Sequence, residues 1–184
     1  INARVGIKKD GTVTAVAGEW LVNTGSGSEA APHEIAVGSG ELQLALRCPN
    51  WNLRTKVVLT NRAPTGIVRG YGGQELKSSI LPIMGMAMEK VGVDPVDFFK
   101  KNFVRAGDEY FWRNGRKYIY WGIDFSPAID NGAAKFGWKE KWKGWGRPTS
   151  VDGNKRCGVG VGIHSNADVG EDDSEAWVKL TPDG

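Results

Sequence analysis

Residues 61–73 read NRAPTGIVRGYGG, and the reading of this stretch decides how the chain on either side is understood. Asn61, Pro64 and four glycines (Gly66, Gly70, Gly72, Gly73) gather around Arg69, and the stretch holds no carboxylate of its own. Glycine costs backbone entropy and serves where φ must be positive or where another group approaches the main chain closely. The stretch is therefore a tight connection or a cradle of backbone N–H groups for an anion. Its flanks favour the cradle. RTKVVLTN (54–61) reads as a strand and a helical pattern follows, so backbone amides and a helix N-terminus converge near Arg69.

Outward from that point the chain alternates strands and helices. The opening VGIKKDGTVTAVAGEWLVNTG predicts two strands around an Asp10-Gly11 turn. TGSGSEAAPHEIAVGSG (24–40) is small, polar and glycine-rich, and reads as a loop that holds one short helix or none. From about Ser79 to Val91 the apolar set Ile80, Ile83, Met84, Ala87 and Val91 follows helical spacing; a start nearer Gln74 would place Pro82 where it kinks the helix. Asp94, Pro95 and Asp97 then form a helix-start signature. A second start is DFSPAIDNGAAKFG, with Asp124 or Ser126 as cap and Gly137 as C-terminal glycine. Between these helices, aromatic residues flank an Asn114-Gly115 turn and predict another hairpin. WGRPTSVDGNKRC reads as a separating loop, GVGVGI (158–163) as a glycine-rich strand and SEAWVKLTPDG as a further strand. The last of these ends on an Asp183-Gly184 turn with nothing to hand over to, so the chain reads as a piece of a longer protein. The expected class is α+β, with mixed sheets and packed helices.

Composition narrows the function. With 184 residues, 40% hydrophobic and 24% charged, the chain reads as soluble and globular, and a net charge of +3 argues for neither a nucleic-acid nor a membrane partner. No apolar run approaches the ~20 residues a bilayer requires. Cys48 and Cys157 lie far apart without CxxC spacing, which fits a reducing, cytoplasmic setting.

Other motifs carry less. GVGVGI has GxGxG rather than dinucleotide spacing, and a strand packed closely against another backbone explains it better. The acidic run NADVGEDDSE (166–175) lacks EF-hand spacing and reads as a solvated loop. His33 and His164 have no second ligand at metal spacing, and no GxSxG elbow or carboxylate pair appears. Trp138, Trp142 and Trp145, interleaved with lysines, form either a stacking surface or a packing edge, and the packing edge is favoured.

TNRAPTGIVRGYGGQE (60–75) resembles the TN-x-x-P…RG-x-G stretch of the molybdenum-binding subunit of the xanthine dehydrogenase/aldehyde oxidase family. The A-P variant is most like bacterial carbon monoxide dehydrogenase and hydroxybenzoyl-CoA reductase large subunits. The likeness continues in register through VGVDPVDFFKKNFVRAGD, YWGIDFSPAIDNGAAKFGW, RCGVGVGI and VKLTPDG, and CPNW (48–51) is similar to the family's Y-x-I-P-N segment. It implies that the fold is part of the molybdopterin-binding domains. Residues 1–147 would form most of the first such domain, and 148–184 a linker and the first strands of the second.

The resemblance further implies that Val68, Arg69, Gly70, Tyr71 and Gly72 bind a molybdenum–molybdopterin cofactor, with no acid nearby to repel an anionic ligand. Family members hydroxylate or dehydrogenate aromatic, heterocyclic or aldehyde-like compounds with a glutamate base, and pass electrons to Fe–S clusters and FAD on partner subunits or domains. The FGGK, GQG and GxGE segments of the family do not occur in residues 1–184, so the catalytic glutamate is expected outside this chain. No residue here is expected to be catalytic or to ligate metal. The chain alone is expected to be inactive and not to retain the cofactor. Val37 falls where purine-oxidising members carry arginine, Gln74-Glu75 replaces Pro-Gln, and Leu81 replaces a glutamate, which implies a divergent member. The rival reading is a non-catalytic binding module that uses the Lys/Trp-rich segment 138–147.

Overall fold

A computed structural model of the chain describes residues 1–27, 30–66, 68–112 and 115–165. Strand β1 (Asn2–Ile7) and strand β2 (Val13–Asn23) form the first antiparallel hairpin. Its turn is closed by Lys8 N–H to Thr12 O (2.9 Å) and Gly11 N–H to Lys8 O (2.9 Å), with the Asp10 carboxylate accepting from Thr12 N–H at 3.0 Å. The hairpin expected at Asp10-Gly11 is therefore present.

The sheet then grows in the other direction. Helix α1 (Ala30–Ala45) carries the chain across to strand β3 (Trp51–Val58), which pairs with β2 in parallel, giving the order β1-β2-β3. Parallel neighbours need such a crossover, and α1 supplies it. Along β2, Val16, Gly18 and Trp20 face the core while Glu19 and Leu21 face outward, as period two requires. β3 begins three residues before the strand predicted at 54–61, and ends three residues earlier.

α1 is far longer than the short helix allowed within the expected loop at 24–40, and only residues 24–27 of the described part are irregular. Gly38 and Gly40 make the segment read as irregular, yet they sit inside the helix because neighbours press on them. A Cβ at Gly38 would overlap the Gly72 carbonyl, and one at Gly40 would overlap the Trp112 ring. Close packing outweighs the ~1 kcal/mol that each glycine costs a helix.

Helix α2 (Gly73–Val91) starts six residues before the predicted Ser79, which leaves Pro82 inside it on the exposed side, where it removes one backbone hydrogen bond. Leu76, Ile80, Met84 and Met88 form its buried stripe. Of the three methionines, Met84 and Met88 fill the core and Met86 faces solvent. Helix α3 (Pro95–Asn102) begins as its sequence signature predicts, the Asp94 carboxylate accepting from Val96 N–H at 2.7 Å. The core joins β2, α1, α2 and α3 through Val16, Trp20, Leu42, Ile80, Phe98 and Phe99 among others.

The remaining elements are smaller. Strands β4 (Glu109–Phe111) and β5 (Lys117–Ile119) form the predicted aromatic hairpin, although Asn114 at its turn lies outside the described residues. Helix α4 (Ser126–Phe136) ends on Gly137 as expected, and a single turn, α5 (Trp138–Lys141), follows. The segment expected to be a loop, WGRPTSVDGNKRC, contains a short hairpin of β6 (Ser150–Asp152) and β7 (Lys155–Cys157), because Asp152-Gly153 turns the chain back on itself.

GVGVGI forms no strand ladder. A Cβ on Gly158, Gly160 or Gly162 would meet nothing within 4 Å among the described residues, so close backbone packing is not what these glycines serve. Ile163 instead packs against the core, and Ser165 Oγ donates to Glu41 O at 2.7 Å. The acidic run at 166–175 and the strand expected in SEAWVKLTPDG lie outside the described residues.

Candidate cofactor-binding site

The stretch 61–73 is pinned at both ends. Its first half lies along residues 24–26: Thr60 N–H donates to Gly25 O (2.8 Å), Ser26 N–H to Arg62 O (2.8 Å) and Thr65 N–H to Thr24 O (3.1 Å). Its second half feeds directly into α2, with Gly72 in the N-cap position. Strand, loop and helix N-terminus thus follow one another in the order read from the sequence.

Residues 70–72 carry three successive positive φ values, Gly70 105°, Tyr71 45° and Gly72 88°. Tyr71 is the one non-glycine residue with positive φ among the described residues, and a bulky side chain held there stores strain that neighbours must support. Its ring meets His33 of α1 edge-on, with centroids 5.3 Å apart. Tyr71 N–H closes a turn onto Val68 O (3.1 Å) and Gly73 N–H one onto Gly70 O (2.9 Å). The N–H groups of Gly70 and Gly72 have no acceptor among the described residues, although Gly72 itself is buried. Buried N–H groups are almost always paired, so the arrangement fits an added acceptor such as an anionic ligand.

The glycines divide their work differently from the expectation. A Cβ on Gly72 would overlap the Glu34 carbonyl, so this glycine first of all lets α1 reach the loop. A Cβ on Gly70 would meet only the flexible Gln74 side chain at 2.7 Å, and one on Gly66 would meet nothing within 4 Å. Val68 (54% exposed) and Arg69 face solvent, and Arg69 makes no ion pair among the described residues.

The absence of acid holds for the stretch and fails for the fold. α1 brings Glu34 against the loop, and Glu75 follows in the first turn of α2. Burial, and then the charge of Glu75, push the Glu34 carboxyl above the usual carboxylate range. Its Oε1 is buried without a partner among the described residues. A carboxyl held toward its neutral form repels an anion less than an ionised one does.

Beneath the loop lies a second feature the sequence reading missed. Glu41 of α1 and Lys77 of α2 form an ion pair at 2.9 Å with side chains only 1% and 3% exposed, and Lys77 Nζ also donates to Ser165 O. A Cβ on Gly73 would overlap the Glu41 carboxylate, so the pair supports the last residue of the loop from below. The one signal available was a lysine on the core-facing stripe of α2, between Leu76 and Ile80.

Among the described residues no three His, Cys, Asp or Glu side chains come together to hold a metal ion. The loop's chemistry is that of backbone amides.

The chain is 28% identical over its full 184 residues to an aldehyde oxidoreductase of Megalodesulfovibrio gigas, of which it covers 20%. It is 28% identical over 167 residues, 90% of the chain, to the xanthine dehydrogenase molybdenum-binding subunit of Escherichia coli, of which it covers 21%. The chain thus spans about a fifth of the length of the curated relatives it matches. A solved aldehyde oxidoreductase from Desulfovibrio gigas, activated with sodium dithionite and sodium sulfide, superposes with a TM-score of 0.65 at 28% identity over 75% of this chain and 15% of that one. The molybdopterin cofactor-binding domain model matches residues 1–103, from β1 through the RGYGG loop to the end of α3. By that match over more than half its length, the chain belongs to the molybdopterin cofactor-binding domain family.

Proposed function

We propose that the chain forms one wall of the cofactor site in a molybdenum-dependent oxidoreductase of the xanthine dehydrogenase/aldehyde oxidase type. Val68, Arg69, Gly70, Tyr71 and Gly72 would hold the molybdenum–molybdopterin group. The observation that carries the reading is the run of left-handed residues 70–72 at the entrance to α2, where the N–H groups of Gly70 and Gly72 have no acceptor among the described residues. When bound, the group supplies two-electron redox chemistry. The chain's own residues would contribute amide donors at Gly70 and Gly72, the Tyr71 ring as a wall, and the Glu34 carboxyl, whose pKa burial and Glu75 raise, as a neighbour.

The family's GxGE segment does not occur in residues 1–184, so in this reading the base that takes the reacting proton would come from outside them and the chain alone would be inactive. We assign residues 1–147 to most of the first cofactor-binding domain and 148–184 to the passage into the second. Fe–S clusters and FAD on partner subunits or domains would take up the electrons. The substrate would be a small organic molecule. Val37 is buried, so α1 offers no cation to a charged substrate at that point. A cytoplasmic setting fits the two free thiols, and no helix among the described residues is long and apolar enough to cross a membrane.

The test is to purify the polypeptide that carries this chain from a host that makes molybdopterin, and to measure bound molybdenum and pterin. Gly70→Pro should cut both at least tenfold while leaving the far-UV circular dichroism unchanged. Full retention of pterin and metal by this variant would refute the assignment.

A further inference from the structure

A cleft of about 680 Å³ opens between the C-terminal half of α2, the start of α3 and the loops around residues 142–149 and 156–162. That volume lies in the ~300–1,000 Å³ range of small-molecule sites. Its floor is apolar, formed by Leu81, Met88 and Phe99. It shares no lining residue with the loop at 68–72, so it neither rests on the cofactor reading nor supports it.

One wall is a fixed aromatic stack. Trp142 lies on Trp138 with centroids 5.8 Å apart and planes 13° apart, and meets Trp145 edge-on at 6.3 Å. The outer two rings are locked by their indole N–H groups. Trp138 Nε1 donates to the Asp94 carboxylate at 3.0 Å, and Trp145 Nε1 to Val93 O at 2.8 Å. Trp142, held between them and half-buried, lines the cleft, and a wall set in advance lowers the ordering cost of binding.

The charged side chains that line the cleft among the described residues are cationic. Among the described residues Lys143, Arg147 and Arg156 line the cleft, and no Asp or Glu does. Among the described residues none of the three makes an ion pair, and Arg156 bonds only to the nearby carbonyls of Gly153 and Lys155. Gly158, Gly160 and Gly162 also line the cleft with backbone, and an added Cβ on any of them would meet nothing within 4 Å among the described residues. An apolar floor, a rigid indole wall and three cations without an ion-pair partner among the described residues suit a ligand that is at once flat and negatively charged.

We propose that this cleft binds a planar aromatic anion, its ring against Trp142 and the floor, its charge among Arg147, Arg156 and Lys143. The 184-residue chain is titrated by calorimetry with 2-naphthalenesulfonate, with uncharged 2-naphthol and with inorganic sulfate, the tryptophan indole N–H resonances reporting the site. The sulfonate should bind below about 100 µM and at least tenfold tighter than either control, moving the Trp142 resonance. Arg147→Glu with Arg156→Glu, both on exposed side chains, should weaken the sulfonate at least tenfold and leave 2-naphthol unchanged. Trp142→Ala should weaken both aromatic probes. Equal affinity for sulfonate and naphthol, indifference to the double charge reversal, or a stationary Trp142 resonance would each overturn the proposal. The double arginine variant decides the matter even if Trp142→Ala fails to fold.

Discussion

Replacing Lys77 by methionine should destabilise the chain by about 3–5 kcal/mol, far more than the loss of one hydrogen bond. The figure follows from burial. Lys77 and Glu41 are 3% and 1% exposed and sit 2.9 Å apart, so removing the ammonium leaves a carboxylate that neither water nor another cation can offset. Glu41→Met strands the ammonium in the same way and should cost a similar amount. The double variant Glu41→Met/Lys77→Met removes both charges and refills the space with two unbranched side chains. It leaves only the Ser165 carbonyl short of its donor, about 1–2 kcal/mol. The two single losses therefore exceed the double loss by roughly 4 kcal/mol or more. Against a typical total of about 5–15 kcal/mol, either single variant forfeits a large share of the stability. Urea unfolding followed by circular dichroism measures this directly, as midpoints that fall at constant slope. Single variants costing under about 1 kcal/mol, or a double variant costing their sum, would refute the account of the pair as a mutually dependent buried unit.

Four further outcomes are expected. Gly72→Ala, which forces a Cβ into the Glu34 carbonyl at a φ of 88°, should cost more than about 2 kcal/mol in denaturant unfolding, whereas Gly66→Ala should be neutral; equal effects would sink the packing argument. Asn102→Ala should cost about 2–4 kcal/mol, because its buried amide accepts from Val13 N–H and donates to Gly11 O and Phe98 O, each at 2.9 Å; a loss under 1 kcal/mol by the same assay would contradict this. Burial and Glu75 raise the Glu34 carboxyl, so its contribution is intact below the unfolded pKa and is lost as pH rises through the folded one. Glu34→Gln should therefore raise Tm at pH 7 and change it little at about pH 4, and an equal shift at both values would show the reverse. Asp94→Ala removes the cap of α3 and the acceptor of the Trp138 indole, and should cost about 1–2 kcal/mol with a visible change in near-UV dichroism; an unchanged spectrum would place Trp138 elsewhere.

Local chemistry was what the sequence disclosed well. The Asp10-Gly11 turn, the Asp94-Pro95 start and the Gly137 stop are all set by side-chain and backbone preferences within a few residues, and each is where the sequence puts it. α1 was hidden because its glycines answer to Gly72 and Trp112, which are distant along the chain. The early start of α2 was hidden for a related reason: Gly73 and Lys77 look foreign to a helix core until Glu41 is brought beside them. At the loop, the strained segment and its place before a helix were legible from RGYGG, whereas Glu34 was not. That residue lies in a segment whose helical state is itself decided by tertiary contacts, so neither it nor its shifted carboxyl could be placed from pattern alone.

The clip formed by Asn102 has a consequence for how the chain is made. It joins Val13 to a residue 89 positions later, and Arg47 N–H also donates to Asn102 O at 2.7 Å. On a ribosome adding about 5–20 residues per second, the β1–β2 hairpin would leave the exit tunnel on the order of 4–18 s before the amide that completes its turn. Through that interval the parallel partner β3 and the helices that cover the sheet emerge one after another, and the hydrophobic face of β2 has no lasting cover. The nascent chain would thus present a sticky, half-built sheet for seconds, and a chaperone that recognises exposed strands would find its substrate there rather than in the finished protein.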